Sequence, residues 1–281
     1  MAEDLVKAPK KGKTLEEVGN DYFYDLVSRS FFQCASRWDG DYCFVMHDLM
    51  HDLATFIGGE FYFRADELRK ETKINKMTRH LSFTRFSEPV SDIEIFDTVK
   101  LSRTFLLINY KDSPFNNEKA PYIVVSMLKY SRVLSFCGFK SLFALLDSIC
   151  ELVHLRYLNL SRTSIETLPE SLCNLFNLQT LKLAFCSKLT QLAIAMQNLV
   201  NLCHLEILGS PIKEMPKRMG KLNQLQELDL YIVGRHEENS IKELGGLPNL
   251  CGSFRIKALE NVTKGEEAIE VLKYNANSRR I

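Results

Sequence analysis

The sequence lacks any long apolar segment. No stretch among its 281 residues approaches the roughly 18 consecutive apolar residues that span a bilayer. Its first seven residues, MAEDLVK, contain no apolar region of the kind found in a secretory signal peptide. Charge of one sign is also lacking, since 36 Lys and Arg balance 35 Asp and Glu to a net charge of +1, and nucleic acid is therefore not expected as the main partner. These absences predict a soluble, intracellular, globular protein.

Two motifs that would carry chemistry are missing as well. The eight cysteines include no C-x-x-C pair, which argues against a zinc ribbon, and we expect them to be reduced and mostly buried. They are Cys34, Cys43, Cys137, Cys150, Cys173, Cys186, Cys203 and Cys251. No G-x-x-x-x-G-K-[ST] sequence occurs, so the chain contains no phosphate loop, and the nearest string, Gly12-Lys13-Thr14, lacks the earlier glycine.

A repeated leucine pattern dominates the second half of the chain. The pattern L-x-x-L-x-x-L-x-L begins at Leu152, Leu175, Leu199 and Leu222, at intervals of 23, 24 and 23 residues, with isoleucine at the last position of the third copy. Weaker copies begin at residues 128 and 247. This period is typical of leucine-rich repeats and does not fit the 3.6-residue period of a helical bundle. We therefore predict an α/β fold built on a leucine-rich-repeat solenoid.

The L-x-L pairs predict which side chains stay outside the solenoid core. In a short strand Leu158 and Leu160 point inward, so Tyr157, Asn159 and Ser161 point to the opposite side. We call this open side of the strands the strand face; in such arrays it is the concave surface used for binding. The predicted protein-binding residues of the strand face are Tyr157, Asn159, Arg162, Lys182, Phe185, His204, Glu206, Glu227, Asp229 and Tyr231. A merely solvated face would show the same mixture of residues.

The turns of the repeats contain two notable positions. Cys186 occupies the place where such repeats often have Asn or Cys, and we expect its side chain to bond the inner backbone of the turn. Leu192-Ala193 stands where Leu168-Pro169 and Met215-Pro216 stand in neighbouring repeats, so one turn lacks its proline.

Residues 14–58 show helical spacing instead of the repeat pattern. The sequence T-L-E-E from Thr14 has the form of a capping box at the start of a helix. The segment YCFV from Tyr42 reads as a short strand, and a second helix begins near Asp48. Each helix has one apolar face. It is formed by Val18, Tyr22 and Leu26 with Phe23 and Val27 in the first helix, and by Leu49, Leu53 and Ile57 in the second. This order predicts a small, α-rich, winged-helix-like domain.

His47 and His51 lie four residues apart in the sequence MHDLMHDLA. Two imidazoles at this spacing share a helix face and can bind one metal ion, as in H-E-x-x-H. Asp48 would replace the glutamate of that motif with a side chain one methylene shorter, and no third ligand follows at a suitable spacing. A metal-dependent hydrolase at His47 and His51 is the weakest functional hypothesis.

The same stretch carries a more specific resemblance. Met46-His47-Asp48, preceded by EEVGNDYFYDLVSRSFFQ, resembles the plant nucleotide-binding, leucine-rich-repeat disease resistance proteins of the coiled-coil class. Three further segments resemble the same family: Arg79-His80-Leu81-Ser82, Arg103-Thr104-Phe105-Leu106 and Leu259-Glu260-Asn261-Val262. The resemblance implies a cytoplasmic immune receptor without enzymatic activity, whose repeats bind a pathogen effector or a host protein.

The resemblance also implies a nucleotide-related role for two residues. In that family the M-H-D element closes the winged-helix part of an ADP/ATP switch; its histidine, here His47, faces the β-phosphate of ADP, and its aspartate, here Asp48, secures the local geometry. Because the chain contains no phosphate loop, we expect it to bind no nucleotide stably by itself. We expect a truncated receptor fragment, one of whose partners is the rest of the receptor's nucleotide-binding domain.

Four segments are therefore expected. They are the winged-helix end of the nucleotide switch at 1–60, a linker with degenerate first repeats at 61–127, leucine-rich repeats at 128–260 and a truncated C-terminal segment at 261–281. The leading hypothesis is an immune-receptor fragment. The alternative is a stand-alone leucine-rich-repeat module that binds proteins without any nucleotide.

Overall fold

The structure is a computed structural model. It describes residues 6, 15–36, 42–65, 73–83, 100–107 and 120–262. The chain divides into two compact units, Met1–Tyr62 and Phe63–Ile281. Within the described ranges, no helix has the length and apolar character needed to cross a membrane.

The first unit consists of a helix, a hairpin and a second helix. Helix α1 is Leu15–Ser28, strand β1 (Phe32–Ser36) pairs in antiparallel fashion with β2 (Tyr42–Met46), and helix α2 is Asp48–Gly58. The two helices and β2 were predicted, and α2 begins at Asp48 as expected, whereas β1 lies in a stretch that was expected to be the helix end and a turn. Thr14, the first residue of the predicted capping box, lies outside the described residues.

Aromatic packing joins α1 to the hairpin. The ring of Phe23 lies 5.5 Å from that of Phe32 and 4.8 Å from that of Phe44, which it meets edge-on. Val18 is buried in the same unit, whereas Tyr22, which the helical spacing placed on the same apolar face, is half exposed. The face of α1 that packs on the hairpin is therefore narrower than the spacing predicted.

The apolar face of α2 remains exposed. Leu49, Leu53 and Ile57 lie on one side of the helix, as their spacing predicted, and all three are exposed. No described residue of α2 is buried. The sequence pattern thus identified the face correctly, but this structure contains no element that covers it among the described residues.

The second unit is built on a parallel sheet. The strands lie in the order β10-β9-β8-β7-β6-β5-β4-β3, and each pairing from β4 to β10 is parallel. Their bounds are β3 Tyr62–Ala65, β4 His80–Phe83, β5 Thr104–Leu107, β6 Val133–Ser135, β7 Tyr157–Asn159, β8 Thr180–Lys182, β9 His204–Glu206 and β10 Glu227–Leu228. A short helix, α3 (Ala120–Met127), precedes β6, and a separate parallel pair joins β11 (Leu230–Ile232) to β12 (Arg255–Lys257).

The L-x-L leucines and a row of aromatic rings form the core under this sheet. Leu158 of β7 pairs in register with Leu181 of β8, and both are fully buried. Burying one such side chain contributes about 1.5–3 kcal/mol. Under β4 to β6 the rings of Phe83, Phe105 and Phe136 follow one another at 5.8 and 5.9 Å. The predicted α/β class and leucine-rich-repeat solenoid are confirmed.

Polar side chains bond the backbone inside the turns of successive repeats. The buried Sγ of Cys186 donates to the carbonyl of Leu160 at 3.1 Å, which confirms the expected role of this cysteine. One repeat later, Ser210 Oγ donates to the carbonyl of Leu183 at 2.6 Å. The same oxygen accepts from the amide of Cys186 at 2.8 Å. These bonds satisfy backbone groups that water cannot reach, and they link neighbouring repeats.

The turn that lacks its proline is supported by a carboxylate from the preceding repeat. Glu170 accepts the amides of Ile194 and Ala195 at 2.7 and 3.0 Å. Because a charged acceptor makes a stronger hydrogen bond than a neutral one, Glu170 fixes the chain directly after Leu192-Ala193 without the restriction that proline would provide.

Candidate functional site

Two columns of outward-facing side chains run across the strand face. The register of the parallel strands places equivalent residues of neighbouring repeats directly beside one another. The first column contains Tyr157, Thr180, His204 and Glu227, and the second contains Asn159, Lys182 and Glu206. The fold therefore brings together predicted site residues that are up to 70 positions apart in the chain.

The charges within these columns compensate one another. Lys182 Nζ lies 2.6 Å from Glu206 Oε1, with the two side chains 29% and 35% exposed. Burial is the largest single effect on Lys182 and lowers its pKa, but the hydrogen bond with Glu206 together with the charge interactions with Tyr157, Glu206 and Glu227 outweighs burial, so the pKa of this lysine is raised. His204 Nδ1 is 3.3 Å from Thr180 Oγ1, and its Nε2 is 4.0 Å from Glu227 Oε2. Each basic nitrogen of Lys182 and His204 thus has an oxygen atom of a neighbouring column residue within 4.0 Å.

Tyr157 and Asn159 form a neutral polar part of the strand face. Asn159 Nδ2 donates to the Tyr157 hydroxyl at 3.4 Å, and its Oδ1 accepts the amide of Ser161 at 3.0 Å. Burial raises the pKa of Tyr157, so its phenol stays protonated at neutral pH. A protein ligand would therefore meet a hydrogen-bonding surface here that carries no charge.

Arg162 and Phe185 lie just beyond the carboxyl ends of β7 and β8. Both are exposed, and the guanidinium carbon of Arg162 lies 5.1 Å from the centroid of the Phe185 ring. Their φ angles of 62° and 57° place both residues in the left-handed region. They therefore belong to the edge of the strand face instead of to its two columns.

The placement predicted for Tyr231 is wrong, and Asp229 has an unforeseen role. Tyr231 is fully buried, and its hydroxyl donates to the carbonyl of Ser240 at 2.7 Å. Asp229 accepts the amides of Ile207 and Leu208, with all three nitrogen–oxygen distances between 2.9 and 3.1 Å. The Asp229 carboxylate thus takes the place of the backbone hydrogen bonds that a longer β10 would make with the preceding repeat. After Asp229 the chain changes direction, and Tyr231 points inward.

Cys137 is a strand-face neighbour that the sequence analysis did not single out. Its half-buried thiol interacts electrostatically with Arg162 and Lys182. Burial raises the pKa of this thiol, and the two cations only partly oppose that effect. Cys137 holds the position in its repeat that Ser161 holds in the next one. Aligning the weaker leucine pattern that starts at Leu128 with the one that starts at Leu152 would have predicted Cys137 beside the strand face.

In the first unit, His47 caps the amino terminus of α2. Its Nδ1 accepts the amide of Leu49 at 3.3 Å, and its backbone is extended, with φ −60° and ψ 139°. The side chain is exposed, and within the described part of the chain its Nε2 makes no hydrogen bond. Asp48 follows in the first helical turn, where a negative charge is favourable.

Among the described residues, these two histidines have no third ligand that could complete a metal centre. His51 Nδ1 lies 3.5 Å from Asp52 Oδ1, and both side chains are mainly exposed. Across the described ranges, no three His, Cys, Asp or Glu residues are grouped so that they could hold a metal ion. The spacing of His47 and His51 therefore gains no third ligand from the fold.

Comparison with known proteins matches both units. The family model of the leucine-rich repeat region matches residues 114–270, and that of the disease resistance protein winged helix domain matches residues 1–54. At3g14460 of Arabidopsis thaliana, which is named as a disease resistance protein, is 39% identical over 273 residues, covering 95% of this chain and 19% of that protein. The chain belongs to the plant disease resistance proteins with leucine-rich repeats.

Other disease resistance relatives show the same partial coverage. The RPP13-like protein 1 of Arabidopsis thaliana is 36% identical over 285 residues, which cover 100% of the chain and 26% of the relative. Disease resistance protein RGA2 of Solanum bulbocastanum is 35% identical over 265 residues, covering 93% and 24%. The chain thus spans about a fifth to a quarter of these relatives. A leucine-rich-repeat protein of Leptospira interrogans shares 22% identity and a TM-score of 0.45, covering 75% of this chain and 45% of that structure.

Proposed function

We propose that the second unit is the protein-recognition part of a cytoplasmic plant immune receptor and that it acts without catalysis. The observation that supports this proposal is the strand face itself. The Lys182–Glu206 ion pair and the neighbouring His204 and Glu227 form an ordered polar and charged pattern beside the neutral Tyr157. Such a pattern favours partners of complementary charge and disfavours others, which is how charged groups provide specificity. The ligand would be a pathogen effector or a host protein.

A second element of the proposal concerns the nucleotide switch implied by the family. His47 lies at the amino terminus of α2, where backbone amides favour an anion, and its exposed ring has a nitrogen for one phosphate contact. These features fit one contact to ADP or ATP but do not amount to a nucleotide site, because the chain contains no phosphate loop. We propose that His47 and Asp48 act together with the rest of the receptor's nucleotide-binding domain.

The first experiment exchanges the two residues of one ion pair, so that the attraction between them is retained. The double variant Lys182→Glu and Glu206→Lys preserves the ion pair but inverts the charge pattern that a ligand meets. A photo-crosslinking amino acid at Tyr157 then reports which proteins touch the strand face in leaf tissue. We expect that proteins which crosslink to the unmodified strand face no longer crosslink to the double variant, because their charged groups then meet like charges on the strand face.

The matched control swaps an ion pair away from the strand face. Lys129 and Glu151 lie outside the two columns and are 2.8 Å apart, and their exchange, Lys129→Glu with Glu151→Lys, changes the same charges elsewhere on the surface. It should leave the proteins crosslinked at Tyr157 unchanged. Identical crosslinks from the unmodified chain and the strand-face swap would refute recognition by these columns.

A titration with fluorescent ADP separates the receptor proposal from a stand-alone interaction module. We expect weak or no binding by the chain itself, because one histidine does not replace a phosphate loop. In a receptor that also contains the phosphate loop, His47→Ala should speed ADP release, and Leu49→Ala on the same helix is the control. Unchanged release in the His47 variant would refute the role in the nucleotide switch proposed for His47.

A further inference from the structure

One row of turn residues along the edge of the strand face has an unusual backbone. Gly138, Arg162, Phe185 and Gly209 occupy the same place in four successive repeats, and their φ angles are 78°, 62°, 57° and 79°. The amides of the first three donate to a carbonyl of the following repeat, each at 2.9 Å, so the row is kept in register. This backbone suits glycine, yet its two central residues carry large side chains.

These two large side chains stack along the row. The Arg162 guanidinium lies over the Phe185 ring at 5.1 Å, and Phe185 in turn covers Gly209. A Cβ on Gly209 would clash with Cδ1 of that ring, so the ring occupies space that is free only because residue 209 is glycine. Arg162 and Phe185 thus both have a backbone conformation that is unfavourable for residues other than glycine, and the position of the Phe185 ring requires glycine at position 209. Residues held in a strained backbone cluster at binding sites.

The surroundings of Arg162 differ from those of the basic side chains in the two columns. Lys182 lies 2.6 Å from Glu206, and His204 lies 4.0 Å from Glu227. Arg162 forms no ion pair with a carboxylate in the described ranges; its guanidinium lies over the Phe185 ring, and the Cys137 thiol is nearby. Its planar guanidinium, held by that ring, still has donors for a carboxylate.

We propose that Arg162 and Phe185 form the anchor of the strand face for a protein segment that presents a carboxylate beside an aromatic side chain. The carboxylate pairs with the guanidinium, and the aromatic ring packs on the half-exposed ring of Phe185. Arginine and aromatic residues are enriched among those that dominate binding energy, and stacking lowers the cost of ordering the arginine. This inference rests on the proposed recognition function of the strand face and names the chemistry of its ligand.

The probe is a fluorescein-labelled peptide with two Glu-Phe pairs separated by glycines, and fluorescence anisotropy measures its binding to the full chain. The key variant is Arg162→Gly, because glycine accepts the left-handed backbone and the fold is retained. We expect its affinity to fall at least tenfold, with a melting temperature no lower than that of the unmodified chain. Arg162→Lys keeps the charge but loses the planar fork, and its affinity should also fall.

The matched control is Arg218→Gly. Arg218 has the same φ of 62°, but its guanidinium bonds Glu238 through Nε at 2.9 Å and Nη2 at 2.6 Å. This variant makes the same change in charge and backbone, and it should bind the peptide as the unmodified chain does. A second control peptide carries Gln in place of Glu and should bind at least tenfold more weakly.

Four results would overturn the anchor. They are no binding of the Glu-Phe peptide by the unmodified chain, equal binding by Arg162→Gly, equal binding of the Gln peptide, and tighter binding of a twelve-nucleotide oligothymidine. The last would point to a nucleic-acid phosphate as the ligand. If Arg162→Gly has no effect while the swap of Lys182 and Glu206 abolishes crosslinks at Tyr157, the proposed function stands and this anchor fails.

Discussion

The change Ser210→Ala tests whether side chains inside the turns hold the repeats together. Ser210 is 7% exposed; its Oγ donates to the Leu183 carbonyl at 2.6 Å and accepts the Cys186 amide at 2.8 Å. Alanine removes both bonds and leaves a carbonyl and an amide without this partner in a place that water does not reach. An unsatisfied buried group costs about 1–3 kcal/mol, so we expect the free energy of unfolding to fall by about 2–4 kcal/mol.

Urea unfolding of the full chain, followed by far-ultraviolet circular dichroism, measures this loss. Ser187→Ala is the control, because Ser187 is exposed one residue after Cys186, and its effect should stay within about 0.5 kcal/mol. Ser210→Cys should recover part of the loss, since a thiol performs the equivalent role at position 186. A loss for Ser210→Ala no larger than that of the control would refute the role given to the turn hydrogen bonds.

Two further predictions concern buried groups. Tyr231→Phe removes the 2.7 Å hydrogen bond to the Ser240 carbonyl and should lower the free energy of unfolding by about 0.5–1.5 kcal/mol in the same urea assay; no change would mean that this bond contributes nothing. Burial raises the pKa of Cys173 to about 12, so only about one molecule in ten thousand has its thiolate at pH 8. In timed alkylation read by mass spectrometry, exposed Cys34 and Cys251 should react first; equal rates for Cys173 would contradict its burial.

The sequence predicted the strands of the second unit correctly wherever a repeat contains the L-x-L pair. The L-x-L pairs placed Tyr157 and Lys182 on the outer side of their strands, and the register then brought them into neighbouring repeats. The same rule failed at Tyr231, because it assumed that the strand continued past Asp229. The Asp229 carboxylate instead bonds two backbone amides of the preceding repeat, and the next strand changes its pairing partner to β12.

In the amino-terminal unit, too, some features could be predicted from the sequence and others required the structure. Helical spacing predicted α1 and the start of α2, and the segment YCFV predicted β2, because these depend on neighbouring residues in the chain. The first strand of the hairpin, β1, lies in a stretch that was expected to be the helix end and a turn. The exposure of Leu49, Leu53 and Ile57 could not be predicted in the same way, since spacing identifies an apolar face but not what covers it. The capping of α2 by His47 also required coordinates, because histidine is not among the usual capping residues.

The sequence by itself determined the repeat, its period and the side of each strand that is buried, because these follow from the alternation of side chains and the need to bury leucine. The tertiary structure decided which polar side chains remain available on the strand face. It paired Lys182 with Glu206, directed Asp229 to backbone amides and placed Arg162 over Phe185 without a carboxylate partner in the described ranges. These contacts depend on distances between side chains of different repeats, and such distances cannot be read from the spacing of residues along the sequence.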